Sequence, residues 1–137
     1  MNVLFEMPNK PDIQTLDHIR SMVDSFYTKV RADELLGPVF EGIIQERWPA
    51  HLEKMYRFWQ TVLLAEHTYM GSPFAPHAAM PVEKEHFERW VGLFRQTVDE
   101  QFEGPKAEEA KWRAERMAEM FQMKISYFRS SNARPLL

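Results

Sequence analysis

The sequence predicts an all-α protein, and three observations support this prediction. Apolar residues recur at intervals of three and four over four long segments, which is the pattern of helices with one buried face. No segment alternates apolar and polar residues as a half-buried strand does. Only 5 glycines occur in 137 residues, and the chain has no Gly-rich phosphate-binding motif. This length suits one domain over residues 1–137, with residues 1–11 and 130–137 as frayed ends.

The first predicted helix starts after Pro11 and Asp12, which are typical of a helix N-terminus. Its apolar stripe consists of Ile13, Leu16, Ile19, Met22, Val23, Phe26, Tyr27 and Val30. We expect Gly37 and Pro38 to stop this helix, because glycine favours a helix end and proline cannot continue one.

The second predicted helix starts at Pro49, since proline suits a first turn, and fades by His67. One of its faces carries His51, Met55, Phe58 and Val62. A loop follows at Tyr69–Pro81, YMGSPFAPHAAMP, where three prolines prevent a long helix. This loop holds His77 among small apolar residues, which is more typical of the lining of a site than of an exposed surface.

Two further helices are predicted after this loop. The third begins after Pro81 and ends at Gly104, and its apolar positions are Phe87, Trp90, Val91, Phe94, Val98 and Phe102. The fourth runs from about Lys106 to Phe128. Its side chains expected to point inward are Trp112, Met117, Met120, Phe121, Ile125 and Phe128.

The composition excludes several classes of function. A formal net charge of -3 and a pI of about 6.0 give no electrostatic reason to expect nucleic acid or a membrane surface as a partner. The longest apolar run, Val62–Ala65, is far too short to span a bilayer. The lack of cysteine excludes disulfides, thiolate metal ligands and Fe–S clusters. Because the first residues lack a signal-peptide pattern, we expect a cytoplasmic protein.

Three polar side chains fall within the predicted apolar faces, namely Tyr27, His51 and Trp90. Each can bond a nearby backbone carbonyl, since a buried polar group without a partner costs about 1–3 kcal/mol. Three donors from three helices, together with His77 in a constrained loop, instead describe a haem pocket. In such a pocket an imidazole binds the iron on one side and donors face a bound gas on the other.

Other metal and catalytic sites have weaker support. Glu83–His86 (EKEH) matches the Glu-x-x-His element of helical di-iron proteins, but such a site needs two of these elements. No other histidine has a carboxylate three residues before it. Pairing His77 with His67 or His86 gives no recognised ligand spacing, and no serine lies in a nucleophile-elbow sequence.

Four segments follow one another along the chain: FYTKVRADELLGPVF, WPAHLEKMYRFW, YMGSPFAPHAAMP and HFERWVGLF. In this order and spacing they resemble the truncated haemoglobins, and among these the third group, bacterial globins of the P type. The resemblance covers most of the chain from Ile13 to Phe128. The Gly-Gly pairs that mark the other groups do not occur here, which fits the third group.

The resemblance implies a truncated globin fold, a two-over-two helical sandwich around haem b. It implies that His77 is the proximal iron ligand and that Tyr27, His51 and Trp90 face a bound ligand. The residues implied to contact the haem are Phe40, Met55, Phe58, Trp59 and Phe74, with Lys54 and Tyr69 as candidates for its propionates.

The resemblance also implies reversible binding of O2, NO, CO or peroxide at an iron that can be five-coordinate. Tyr27 and Trp90 can donate to O2, and each bond slows O2 loss about tenfold if it contributes about 1.4 kcal/mol. Such retention is too tight for simple delivery. It suits storage, NO detoxification or peroxidase-like chemistry with a reductase as partner, and the sequence does not choose among these. Two alternatives are a haem-based gas or redox sensor that acts through a partner protein, and a cofactor-free interaction module.

Overall fold

The computed structural model describes residues 10–69 and 81–133, apart from the side chains at 128 and 131–133. These ranges form five α-helices: α1 (Leu16–Ala32), α2 (Leu36–Ile44), α3 (Trp48–Leu64), α4 (Lys84–Gln101) and α5 (Pro105–Ala133). A 3-10 turn at Gln45–Arg47 joins α2 to α3. No residue within the two ranges lies in a strand, so the all-α prediction is confirmed.

Helix α1 buries the stripe that its spacing predicts. Thr15 caps it, because the hydroxyl of Thr15 accepts a hydrogen bond from the backbone N–H of His18 at 3.1 Å. Its buried residues are Ile19, Met22, Val23, Phe26, Tyr27 and Val30. The helix thus presents one apolar face to the rest of the molecule, and Tyr27 is part of that face.

The prediction that Gly37 and Pro38 stop a helix is wrong, because both lie in the first turn of α2. A proline is tolerated there, since the first N–H groups of a helix have no intrahelical partner. The helix before it ends earlier, at Ala32, and the Asp33 carboxylate then accepts from the backbone N–H groups of Leu35 and Leu36 at 3.0 and 2.9 Å. A Cβ on Gly37 would lie 2.7 Å from the carbonyl oxygen of Arg31, so glycine permits the tight corner.

The start of α5 is fastened to the start of the described chain. The carboxylate of Asp12 accepts from the backbone N–H groups of Lys106 at 3.0 Å and Ala107 at 2.8 Å. Gly104, just before this helix, has a φ of +135°, which side-chain-bearing residues rarely adopt. These contacts fix the approach of α1 to the corner between α4 and α5.

The helices pack as two pairs. Helix α1 lies against α3, α4 lies against α5, and α1 also contacts α4 and α2. Between the pairs, the ring of Phe94 stacks on Trp59 at a centroid distance of 5.0 Å and on Trp90 at 5.9 Å. The edge of Phe26 meets the same ring at 5.2 Å. This aromatic layer places side chains of α1, α3 and α4 around one centre.

On α5, two side chains predicted to point inward point outward. Trp112 is 57% exposed and Met120 is 43% exposed, so the inward prediction is wrong for both. Phe121 and Ile125 are buried as predicted, and the other buried apolar residues of this helix are Ala107, Ala110, Ala114 and Ala118. Alanines on this face let α4 and α5 approach closely, which leaves the larger side chains no room between the helices.

None of the described helices is both long and apolar enough to cross a membrane. Helix α5 continues to Ala133, beyond the predicted end at Phe128.

Candidate functional site

Tyr27 lies at the centre of a group of aromatic rings. Its own ring is 4.9 Å from that of Phe26, 6.2 Å from that of Phe40, 5.7 Å from that of Trp48 and 5.0 Å from that of His51. Burial raises the pKa of the Tyr27 phenol above its usual range, because the charged form loses its hydration. The hydroxyl is therefore protonated at neutral pH and available as a hydrogen-bond donor.

His51 meets Tyr27 edge-on. The two ring planes are at 86°, and Nε2 of His51 is shielded from solvent. His51 lies in the first turn of α3, so the position of this helix start decides how the imidazole approaches α1. The structure thus brings together two of the three residues that the resemblance assigns to the ligand side.

Trp90 reaches the same region from α4. Its ring meets Phe26 edge-on at 5.4 Å and stacks on Phe94 at 5.9 Å. Tyr27 and Trp90 therefore lie against the same phenylalanine, Phe26, although they come from different helices. The sequence placed Phe26 in the stripe of α1, but only the structure shows that it lies between the two donors.

An apolar cavity of 40 Å³ lies where α2, α4 and α5 meet. It is lined by Leu36, Phe40, Val82, His86, Phe87, Trp90 and Phe121. The resemblance names Phe40 and Trp90 among these, and the structure adds the remaining five. Cavities that hold organic ligands measure about 300–1,000 Å³, so a large group can enter here only if the lining side chains repack.

The α3 residues expected to contact haem have different surroundings. Phe58 and Trp59 are buried, and Trp59 stacks on Phe94 in the aromatic layer. Met55 is half-buried against the core. Lys54 is exposed, whereas the half-buried ring of Tyr69 packs edge-on against Phe58 at 5.4 Å.

Burial raises the pKa of the Tyr69 phenol. His77 and Phe74 lie outside the described residues, so the proximal ligand and its neighbour stay predictions from sequence.

Three residues near the site were not singled out by the sequence. Nε1–H of Trp48 donates to Oε1 of Glu41 at 2.7 Å, and Arg31 donates to the same oxygen at 2.9 Å. The sequence did contain one indication of Trp48. It lies three residues before His51, so both side chains are on the same face of a helix. The ion pair itself joins different helices, and no local pattern predicts such a contact.

The described residues fit the ligand side of a haem pocket. A buried, protonated phenol lies beside a shielded imidazole nitrogen, the indole ring of Trp90 packs against the neighbouring Phe26, and the surroundings are apolar. Donors in apolar surroundings are suited to a small ligand that carries partial negative charge.

A family model described as bacterial-like globin matches residues 13–126 of the chain. The Group 3 truncated hemoglobin ctb of Campylobacter jejuni is 34% identical over 110 residues, which cover 77% of this chain and 87% of that protein. The crystal structure of group III truncated hemoglobin from Campylobacter jejuni matches with a TM-score of 0.78 and 32% identity, and covers 85% of this chain and 94% of that chain.

The fold, the arrangement of the site and these similarities agree with one another. The helices of the described residues match a truncated globin over most of the chain. Globins carry a haem iron that binds small gas molecules. The chain therefore belongs to the bacterial-like globin family, and its similarities place it with the third group of truncated haemoglobins.

Proposed function

We propose that this globin holds O2 tightly on a haem b and uses it for oxidative chemistry rather than for delivery. The single observation that carries this proposal is the buried, protonated phenol of Tyr27 beside His51. A hydrogen-bond donor in an apolar site interacts more strongly with a polar ligand than the same donor in water does. O2 gains from such a donor, whereas the less polar CO gains little.

The residues proposed to hold the haem come from the resemblance and from the site. His77 would bind the iron from the loop, and Phe40, Met55, Phe58, Trp59 and Phe74 would form the walls. Lys54 and Tyr69 would lie near the propionates. The haem iron supplies a coordination position at which a gas molecule can bind.

The side chains on the ligand side have separate roles in this proposal. Tyr27 donates a hydrogen bond from its hydroxyl to a polar ligand, and Trp90, which packs against Phe26, donates one from its indole N–H. His51 lies at the start of α3 and controls access to Tyr27. Apolar neighbours such as Phe26 and Phe40 exclude water, which would compete for the same donors.

Retained O2 suits the conversion of NO to nitrate. A separate reductase would then supply one electron in each cycle to return the iron to its ferrous state. Peroxide chemistry with an external reductant is the other reaction that this donor set suits. We place the activity in the cytoplasm, in a single globin domain. No contact among the described residues favours the sensor interpretation over these two reactions.

An absorption spectrum from about 350 to 700 nm tests the haem proposal and its iron ligand together. The purified wild type is expected to show a Soret band that shifts when dithionite and CO are added. His77→Ala is expected to lose or alter this band, because the iron loses its protein ligand. His67→Ala is the matched control, since His67 is exposed and should leave the spectrum unchanged. A flat wild-type spectrum after haem is added back would refute the proposal.

Trp90→Leu is expected to raise the O2 dissociation rate severalfold and to leave CO dissociation nearly unchanged. The substitution removes the indole N–H, and only the more polar ligand depends on this donor. Stopped-flow replacement of each gas measures both rates. Trp112→Leu serves as control, because Trp112 is exposed on α5. Equal changes for O2 and CO would show that Trp90 acts through packing instead.

A further inference from the structure

Trp48 connects the ligand side of the site to the protein surface. Its side chain is buried, and its ring lies 5.7 Å from that of Tyr27 and 5.6 Å from that of His51. The rings of Tyr27 and His51 are 5.0 Å apart, so the three rings form a closed triangle. Because packed interiors leave few voids, a ring of this triangle cannot shift without moving the other two.

One ion pair holds the outer side of Trp48. Oε1 of Glu41 accepts from Nε1–H of Trp48 at 2.7 Å and from Nε of Arg31 at 2.9 Å. The guanidinium of Arg31 also lies over the indole ring, 4.4 Å from its centroid. The indole therefore meets an anion at its edge and a cation on its face, and both arrangements are attractive.

The three residues belong to three helices. Arg31 lies one turn after Tyr27 on α1, Glu41 follows Phe40 on α2, and Trp48 begins α3 one turn before His51. The cluster thus ties α1 and α3, which carry Tyr27 and His51, to α2, which carries Phe40.

We propose that Arg31, Glu41 and Trp48 form a positioning cluster that holds Tyr27 and His51 in place and so controls how fast gas ligands pass His51. This inference rests on the proposed function. The side chains of Arg31 and Glu41 are 46% and 47% exposed, so dissolved salt screens their attraction. The cluster therefore makes ligand association sensitive to ionic strength.

The first test is the CO association rate of the haem-loaded protein at about 0.01 M and about 1 M salt, where the screening length falls from about 30 Å to about 3 Å. The wild-type rate is expected to rise about 1.4-fold to fivefold with salt, the range of an exposed ion pair. Glu41→Ala and Arg31→Ala are expected to be fast at both salt concentrations. Arg31→Lys should restore part of the salt dependence, because it keeps the charge and loses the planar group.

Arg95→Ala provides a matched control for these variants. Arg95 pairs with Glu115 between α4 and α5, and their side chains are 46% and 39% exposed. This pair resembles Arg31–Glu41 in exposure but has no contact with Trp48. The variant is expected to keep the wild-type salt dependence, and its loss would mean that salt acts on the whole fold.

Nuclear magnetic resonance gives a second readout that does not depend on gas binding. The indole N–H signal of Trp48, assigned by its loss in Trp48→Phe, is expected to exchange with solvent at least tenfold faster in Glu41→Ala. The ring signals of His51 are expected to shift in Glu41→Ala and to stay in place in Arg95→Ala.

The outcomes separate this inference from the proposed function. If the wild type binds haem but Glu41→Ala changes neither CO association nor the His51 signals, the positioning cluster is refuted and the proposed function stands. If the wild type binds no haem, the proposed function fails. The His51 signals then still decide whether the cluster positions this histidine.

Discussion

Replacing Tyr27 with phenylalanine is expected to raise the O2 dissociation rate of the haem-loaded protein by about tenfold, the factor that corresponds to a hydrogen bond of about 1.4 kcal/mol. The substitution deletes one hydroxyl and keeps the ring that packs against Phe26 and His51. Burial raises the pKa of Tyr27, so the hydroxyl keeps its proton. The effect is therefore expected to be the same from about pH 6 to about pH 9.

Tyr56→Phe is the control for this substitution. Tyr56 lies on α3, and its hydroxyl donates a hydrogen bond to the carboxylate of Asp24 on α1 at an exposed position. Burial, and then this bond, raises the pKa of Tyr56 to about 12, so both tyrosines are neutral donors under the same conditions. Stopped-flow displacement of O2 by CO measures the rates. If both variants release O2 at the wild-type rate, Tyr27 does not donate to the ligand.

Substituting alanine for Gly104 is expected to lower the free energy of unfolding by about 3 kcal/mol. The φ of +135° strains any residue with a side chain, at a cost of about 1–3 kcal/mol. The new Cβ would also lie 2.6 Å from Cγ of Asp12, whose carboxylate caps α5 through Lys106 and Ala107. Displacing this carboxylate removes a cap worth about 1 kcal/mol. Urea unfolding monitored by circular dichroism measures the change.

Gly92→Ala tests whether these costs come from position rather than from the substitution itself. Gly92 is exposed in the middle of α4, and a Cβ there would meet nothing within 4 Å. This variant is expected to raise the free energy of unfolding by about 0.5–1 kcal/mol, because alanine favours a helix more than glycine does. A Gly104→Ala protein as stable as the wild type would mean that the corner before α5 relaxes without cost.

The sequence predicted most of the long helices because their apolar residues repeat at helical spacing. The stripe of α1 is buried as expected, and the turn at Gly104 separates α4 from α5. The prediction from sequence missed α2. Glycine and proline are found both just after the last turn of a helix and in the first turn of the next, so Gly37 and Pro38 do not distinguish the two positions. Only the path of the chain, which would bring a Cβ on Gly37 within 2.7 Å of the Arg31 carbonyl oxygen, decides between the two.

Residue size misled the prediction for α5. Large apolar side chains such as Trp112 and Met120 were expected to be inside, whereas a run of alanines at the same helical spacing faces α4. Ala107, Ala110, Ala114 and Ala118 carry this signal in the sequence. Small residues permit the closest approach of two helices. On α5, the helical repeat of the alanines therefore indicated the buried face better than the large apolar side chains did.

The candidate site could be predicted in part. The polar atoms of Tyr27, His51 and Trp90 stood out because each interrupts an apolar face. Phe26, which lies against both Tyr27 and Trp90, did not stand out, since a phenylalanine in a core stripe looks like any other. The bond from Trp48 to Glu41 joins α3 to α2, and tertiary packing alone brings those residues together.

The hydrogen bonds of Asp12 also have a consequence for synthesis on the ribosome. Asp12 is synthesised 94 residues before Lys106, yet its partners are the N–H groups of Lys106 and Ala107. A nascent chain emerges N-terminus first, so the approach to α1 has no fixed anchor until α4 has been completed. A chain that stalls before Lys106 therefore lacks this contact altogether.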